Sequence, residues 1–313
     1  MAVSPVTTPL SWPISICRTG WMYAHDGETL MLWSVSIDVE QPDLRVGDKP
    51  PLLLQPIPPG EWFQRVAATR YTNAALAGRL TADALSQGAM LLCAVDNRAL
   101  SIGFDIELTM DRPDASVWRQ PDNRYTRATI GLVDTARSTV AHCANQADAV
   151  RALVEHAAVR FEYAHPKQRF NDATAEMPLV CGTAQGSCVD MHGYIMAMAK
   201  AVGLKAQYLA GYWVHPEKSQ THDMHCWLMF EADGDIVYWD LAHHLKWRVP
   251  ELAPALNPAG GRRVLMSHGR GLVFHTPYGC VEVSHFSEPL WIMPDGSIVE
   301  PQITVRIDGP HMN

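Results

Sequence analysis

Between residues 188 and 240 the sequence leaves the chain few choices. Residues 189–202 (VDMHGYIMAMAKAV) are apolar nearly all round, with Gly193 the main breaker, and a helix of that kind has to be buried. Gly203 stands where a helix C-terminal glycine is expected. The stretch 182–187 (GTAQGS) breaks regular structure just upstream, so the helix opens at Cys188. Three strand-like runs follow, 207–214, 225–231 and 236–240. The second and third are joined by Ala232-Asp233-Gly234-Asp235, a tight hairpin turn.

The rest of the chain divides around this block. Residues 1–140 read mainly as β. The run 29–38 follows the turn dipeptide Asp26-Gly27, which predicts a hairpin there. In 99–110, Leu100, Ile102, Phe104, Ile106 and Leu108 alternate with Ser101, Gly103, Asp105 and Glu107, the period of a half-buried antiparallel strand. The Pro-rich 50–60 is expected to be an extended connector, and the alanine-rich 61–86 to hold short helices. From Asp148 onward, Val150, Leu153, Val154, Ala157, Ala158 and Phe161 recur at helical spacing. After Pro250, short strands are expected near 271–274 and 281–283, and Ile303, Val305 and Ile307 alternate again. The expected organisation is a β-rich segment 1–140, a core 141–250 and a β extension 251–313 packed on that core.

Composition narrows the partners. A formal net charge of −8 argues against a nucleic-acid backbone, whose binders need a basic face. No run approaches the ~20 apolar residues that cross a bilayer, and residues 1–20 lack a basic start followed by a long apolar stretch. The seven cysteines, Cys17, Cys93, Cys143, Cys181, Cys188, Cys226 and Cys280, are odd in number and form no C-x-x-C pair. That pattern fits free thiols of a reducing, cytoplasmic setting better than a disulfide framework or a zinc ribbon.

Cys188 is a small buried hydrophobe on position alone. A sulfur at a helix start is nonetheless next to unpaired backbone amides and the positive end of the helix dipole, which favour a thiolate. Its own N–H can face a developing oxyanion. His225 begins one strand of the hairpin and Asp240 ends the next, so the two should be neighbours across it, within reach of an Asp-to-imidazole hydrogen bond. Gln185 is a further candidate, as an oxyanion donor or a helix cap. Asp190 and His192 follow Cys188, but helical rotation is expected to turn them from its face.

These residues carry a resemblance. Gly186-Ser187-Cys188-Val189-Asp190, then Ala201-Val202-Gly203-Leu204-Lys205-Ala206, Gly211, His225-Cys226-Trp227 and Trp239-Asp240, resemble the transglutaminase-like core over residues 145–245. The resemblance implies a papain-related α+β fold, with a Cys-bearing helix on an antiparallel sheet that holds the His and Asp. It implies Cys188 as nucleophile, His225 as base and acid, and Asp240 as the orienting group. Lys205-Ala206-Gln207 stand where the family often has Pro-Ala-Arg, and Ser187 where animal transglutaminases carry Gln. Those departures argue against glutamine–lysine crosslinking, and neither calcium nor any other cofactor is expected.

The chemistry implied is attack on an amide or thioester carbonyl, through a thioacyl group on Cys188, with hydrolysis favoured. Transfer to an amine, forming an amide, is the alternative outcome. Two rival readings use other residues or none. A metal site could draw on His222, His225, His243 and His244 with Cys226 or Asp240, although His222 and His225 share no helix face and His243-His244 are expected to line the cleft or face solvent. A non-catalytic module would bind a partner. Peptide, amide or thioester substrates are expected, without nucleic acid or membrane.

Overall fold

The computed structural model describes residues 32–42, 49–60, 64–83, 85–109, 112–255 and 257–309. The Asp26-Gly27 turn and Cys17 lie outside them. Six strands come first: β1 (Leu32–Val39), β2 (Leu52–Pro56), β3 (Gln64–Thr72), β4 (Ala74–Thr81), β5 (Gly88–Ala94) and β6 (Leu100–Leu108). A helical middle follows, with α1 (Ile130–Val140), α2 (Gln146–Ala158), β7 (Phe161–Tyr163), β8 (Ala184–Gly186) and α3 (Cys188–Ala201). Next come β9 (Lys205–Val214), β10 (Gln220–Thr221), β11 (Met224–Ala232), β12 (Asp235–Trp239) and the short α4 (Leu241–Lys246). The chain closes with β13 (Arg262–His268), β14 (Leu272–Thr276), β15 (Gly279–Val283), β16 (Leu290–Ile292), β17 (Ile298–Val299) and β18 (Ile303–Asp308).

The core of the expected α+β arrangement is present. A four-stranded sheet in the order β12-β11-β9-β13 carries α3 on one face, flanked by α1 and α2. Helix α3 is buried from Cys188 through Ala199, as its all-round apolar character demands. Each of its large apolar side chains, such as Met191, Ile195 and Met198, contributes roughly 1.5–3 kcal/mol by leaving water. Gly203 ends the helix at a φ of 75°, a left-handed position that suits glycine. The 232–235 turn pairs Ala232 with Asp235, and Asp233 and Gly234 both take positive φ, as a two-residue hairpin of the primed type requires.

The β-rich remainder builds two five-stranded sheets, β10-β18-β1-β6-β3 and β17-β16-β2-β5-β4. The alternation read in 99–110 is that of β6, whose Leu100, Ile102, Phe104 and Ile106 are fully buried, and that near the end is β18. The strand pairing crosses the divisions expected at 140 and 250. β1 pairs with β18 along its length, and β2 pairs with β16. The two ends of the chain thus share sheets instead of forming separate layers, and one cluster joins Trp33 and Ile102 to Tyr212 and Val264 of the core sheet.

Two local expectations are corrected. Residues 64–81 form β3 and β4, not short helices; each is an edge strand whose pairing with β6 or β5 overrides the helix preference of its alanines. Residues 52–56 are extended but are no connector. β2 lies between β16 and β5 with all five residues buried, and Pro56 ends the strand.

Candidate functional site

Three elements converge where α3 begins. Ser187 precedes the helix, and Asp190 Oδ2 accepts from both the Ser187 N–H (2.8 Å) and its hydroxyl (2.9 Å), which ties down the first turn. Capping is therefore done by Ser187 and Asp190, while Gln185 lies exposed on β8, three residues before Cys188. Cys188 is the first residue of the helix, where a backbone N–H has no acceptor within the helix. It is 5% exposed.

His225 and Asp240 meet as the hairpin predicts. His225 Nε2 lies 2.8 Å from Asp240 Oδ2, which leaves Nδ1 as the nitrogen for Cys188, whose sulfur also raises the ring. Asp240 also caps α4, accepting the His243 N–H at Oδ1 (3.0 Å), so its carboxylate is fixed at both oxygens. It is fully buried.

The first neighbour that sequence reading missed is Cys226. Its Sγ lies 3.5 Å from His192 Nδ1, and its thiol is first among the groups that lower Cys188. His192 Nδ1 and the Cys226 sulfur are thus hydrogen-bond partners beside Cys188. His192 does not turn away as expected: it is four residues after Cys188, hence on the same helix face, and is fully buried with Nε2 3.7 Å from Asp240 Oδ1. That spacing was the available signal.

Arg263 and His243 complete the surroundings. Arg263 Nη2 donates to Asp240 Oδ2 at 2.6 Å and lies 3.2 Å from His243 Nδ1, while its guanidinium sits 4.6 Å above the Trp227 ring. The guanidinium is 1% exposed. The His243 ring stacks on His225 with centroids 3.9 Å apart and packs against Trp213 at 4.4 Å.

These contacts set the charges. The hydrogen bond from Cys226, then that from His225 and its charge, hold the Cys188 thiol well below its ordinary value in spite of burial. Burial pushes His225 down, but the charge and hydrogen bond of Asp240, followed by those of Cys188, raise it overall. Asp240 is held well below the usual carboxylate range against its burial, by His225, His243 and Arg263. Burial pushes Cys226 well up and keeps it a thiol, and it lowers His192 to about 4 and His243 well below its normal value. These shifts favour a thiolate at Cys188 and a protonated imidazole at His225, with the Asp240 carboxylate beside the ring.

The residues of the rival metal reading are mostly engaged elsewhere. His222 Nδ1 lies 3.0 Å from the Ile303 carbonyl, and His244, which is buried, is turned to the Ala253 carbonyl at 3.1 Å. His225, Asp240 and His243 do bring ligand atoms within 4.8 Å of one another, but Arg263 already presents a fixed positive charge to Asp240 and lies against His243 Nδ1.

Fold and site together define an α+β protein of papain-related, transglutaminase-like architecture, with a cysteine-bearing helix set against an antiparallel sheet. Residues 133–239 match the family model of the transglutaminase-like superfamily, so this part of the chain is similar to that superfamily's core. Among solved structures, the chain is similar to a candidate cysteine protease from Cytophaga hutchinsonii, with 13% identity, 90% of this chain and 91% of that one covered, and a TM-score of 0.51. It is also similar to the periplasmic domain of TgpA from Pseudomonas aeruginosa, with 14% identity, 77% and 96% covered, and a TM-score of 0.38. No curated protein sequence matches the chain.

Proposed function

We propose that the protein is a cysteine enzyme that cleaves or transfers acyl groups at an amide or thioester carbonyl, with Cys188 as nucleophile, His225 as general acid and base, and Asp240 as the orienting group. The observation that carries this reading is the convergence of a lowered thiol, a raised imidazole and a buried carboxylate at one helix start. In the first step the Cys188 thiolate forms a bond to the carbonyl carbon, and the oxygen takes the negative charge. We assign the Cys188 N–H to that oxygen, with the Gln185 amide as a second candidate donor. Collapse expels the leaving amine or thiol, which takes the proton from His225, and leaves a thioacyl group on sulfur. His225, now neutral, accepts a proton from water or an incoming amine as it attacks, and the thiolate returns.

Water as the acceptor makes the protein a peptidase or amidase, the outcome we favour. The likeness to a fold described as a candidate cysteine protease is consistent with it, and so is Ser187 in place of the Gln of animal transglutaminases. An amine acceptor would make it an amide-forming transferase on the same thioacyl group.

Two measurements test the assignment. Iodoacetamide should modify Cys188 faster at pH 6 than the exposed thiols of Cys181 and Cys280, which serve as internal controls, and its rate should inflect well below the ~8.5 of a free thiol. A rate no faster than those of the controls would remove the nucleophile. Mass spectrometry of the protein incubated with cell extract should then find an acyl group on Cys188 that Cys188→Ala lacks, and its identity names the donor.

A further inference from the structure

Between β13 and β14 the chain turns through Gly269 and Gly271, both at positive φ (88° and 65°), and the turn carries Arg270 into the interior. Arg270 is 2% exposed, and its guanidinium lies 5.0 Å from the Tyr125 ring and 4.7 Å from the Tyr208 ring. Two of its three nitrogens are spent on neutral carbonyls: Nε donates to that of Ser284 (2.8 Å) and Nη1 to that of Val189 (3.1 Å). Among the described residues no carboxylate lies within ion-pair distance of it. Buried charges are ordinarily paired, because taking one out of water alone is costly. Arg270 lacks that pair.

The third nitrogen, Nη2, shows where a counter-charge would sit. It has no partner among the described residues, and unlike the unpartnered polar atoms sealed in the interior it opens on free space. That space is a cavity of about 310 Å³, whose wall holds Arg270 with Arg124, Arg169, Asp172, Val189 and Asp190. The two aspartates are engaged: Asp190 Oδ2 accepts from the Ser187 hydroxyl (2.9 Å), and Asp172 Oδ2 from the Arg169 backbone N–H (2.8 Å). Arg124 Nη2 donates to the Asn171 and Asp172 carbonyls. The Arg169 side chain makes no hydrogen bond or ion pair among the described residues. Three arginines against two aspartates leave the wall with one formal positive charge in excess.

The cavity also adjoins the proposed reaction centre. Val189 and Asp190 are the two residues that follow Cys188 in α3, and successive Cα atoms are about 3.8 Å apart. The carbonyl that fixes Arg270 is that of Val189, so the guanidinium is held against the first turn of the nucleophile's own helix.

We infer that this cavity binds a carboxylate of the substrate, which accepts a hydrogen bond from Arg270 Nη2, with Arg169 as the second cation of the wall. One negative charge balances the wall, whereas a phosphate dianion would leave an excess beside Asp172 and Asp190. The binding stands on the cavity alone. That the carboxylate belongs to the compound attacked by Cys188 rests on the function proposed above.

The test is a calorimetric titration of the full chain with two matched pairs, at ~0.15 M ionic strength so that distant charges are screened. Nα-acetyl-glutamate methylamide against Nα-acetyl-glutamine methylamide offers an acidic side chain; Nα-acetyl-alanine against its methylamide offers a free chain end. In at least one pair the carboxylate should bind at least tenfold more tightly than its uncharged counterpart, both to the native protein and to Cys188→Ala, and the pair that responds names the source. Arg270→Gln should cut that preference below threefold. Arg169→Gln, whose side chain has no bond to lose among the described residues, should narrow it as well, and it carries the test should Arg270→Gln fail to fold. Equal binding within both pairs, a preference unchanged in the folded Gln variants, or inorganic phosphate binding as tightly as the better carboxylate overturns the inference. Because Cys188→Ala keeps the cavity and loses the thiol, failure of the nucleophile assignment would leave the charge preference in place, and the two outcomes are distinguishable.

Discussion

The Cys226 thiol stands beside the sulfur of Cys188 and is first among the groups that lower it. The residue that follows His225 in the chain therefore touches the same sulfur that His225 is placed to serve. Cys226 packs with Leu228 and Phe230 in the cluster under α3, Trp227 lies in the cluster on the opposite face, and His225 stands at the strand's beginning. The strand end thus offers Cys188 a donor from each of two successive residues.

Replacing that donor should be visible in the reactivity of Cys188. A hydrogen bond to a charged group contributes roughly 1.5–3 kcal/mol, and one pH unit corresponds to about 1.4 kcal/mol. Cys226→Ala is therefore expected to move the alkylation inflection of Cys188 upward by about one unit or more, while Cys226→Ser, which keeps a donor, moves it less. The measurement is the rate of iodoacetamide modification between pH 4 and 9, read by mass spectrometry. An inflection that stays put in Cys226→Ala would show that the thiol does not stabilise the neighbouring sulfur.

Arg263 should matter to stability through its pairing with Asp240. Its guanidinium and the Asp240 carboxylate are both buried, and removing one partner of such a pair typically costs about 3–5 kcal/mol because the other charge is stranded. Arg263→Met is expected to lower the midpoint of thermal unfolding by roughly 10 °C, at the ~2–4 °C per kcal/mol of mid-sized domains. The double change Arg263→Met with Asp240→Asn should be less unstable than the sum of the single changes. Strict additivity in a double-mutant cycle would mean that the two side chains are not coupled.

Acid should destabilise the fold before the carboxylates titrate. His192 and His268 are each buried with their values lowered to about 4, so the unfolded chain binds their protons first as pH falls below ~6.5. Their contribution is complete above that point and is lost as pH falls toward 4. Each imidazole contributes up to ~1.4 kcal/mol per pH unit in this window, so the two together should remove roughly 2 kcal/mol between pH 6.5 and 5.5. His225 works in the opposite sense: its folded value is raised, so its contribution is present below ~6.5 and fades as pH rises through the higher folded value. Urea unfolding at pH 7.5, 6.5 and 5.5 measures the sum. A flat profile across these three points would show that the buried imidazoles are not held neutral.

What could be read without coordinates was what repeats locally. The helix from Cys188, the 232–235 turn and the alternation of β6 all follow from spacing within one element, and the hairpin alone put His225 beside Asp240. The edge strands β3 and β4 escaped because alanine favours helix until a neighbouring strand claims its backbone. Arg263 was invisible for a different reason. It reaches Asp240 through the pairing of β13 with β9, across a loop, and no local pattern marks a residue whose partner is set by long-range register. Cys226 and His243 sat next to recognised residues, yet their roles depend on which way a strand and a short helix turn.

Gly211 offers a test of how closely the site depends on that register. It faces His225 across β9 and β11, and on its other side β13 bends between Leu265 and Ser267. A Cβ at 211 would fall onto the carbonyl oxygen of Val264 and crowd the Cα of Leu265, both of them backbone atoms that cannot swing aside. Gly211→Ala must therefore push β13 away from β9, carrying Arg263 with it. Overpacking of this kind costs about 1–3 kcal/mol, and more where backbone has to move. The expected outcome is a lower unfolding midpoint together with slower alkylation of Cys188 at pH 6, since displacing Arg263 loosens Asp240 and, through it, His225. Gly193→Ala, whose Cβ would meet an arginine side chain instead, is the comparison: it should cost stability without the same loss of low-pH reactivity. Equal effects of the two substitutions on the alkylation rate would show that the β9–β13 register does not position the imidazole.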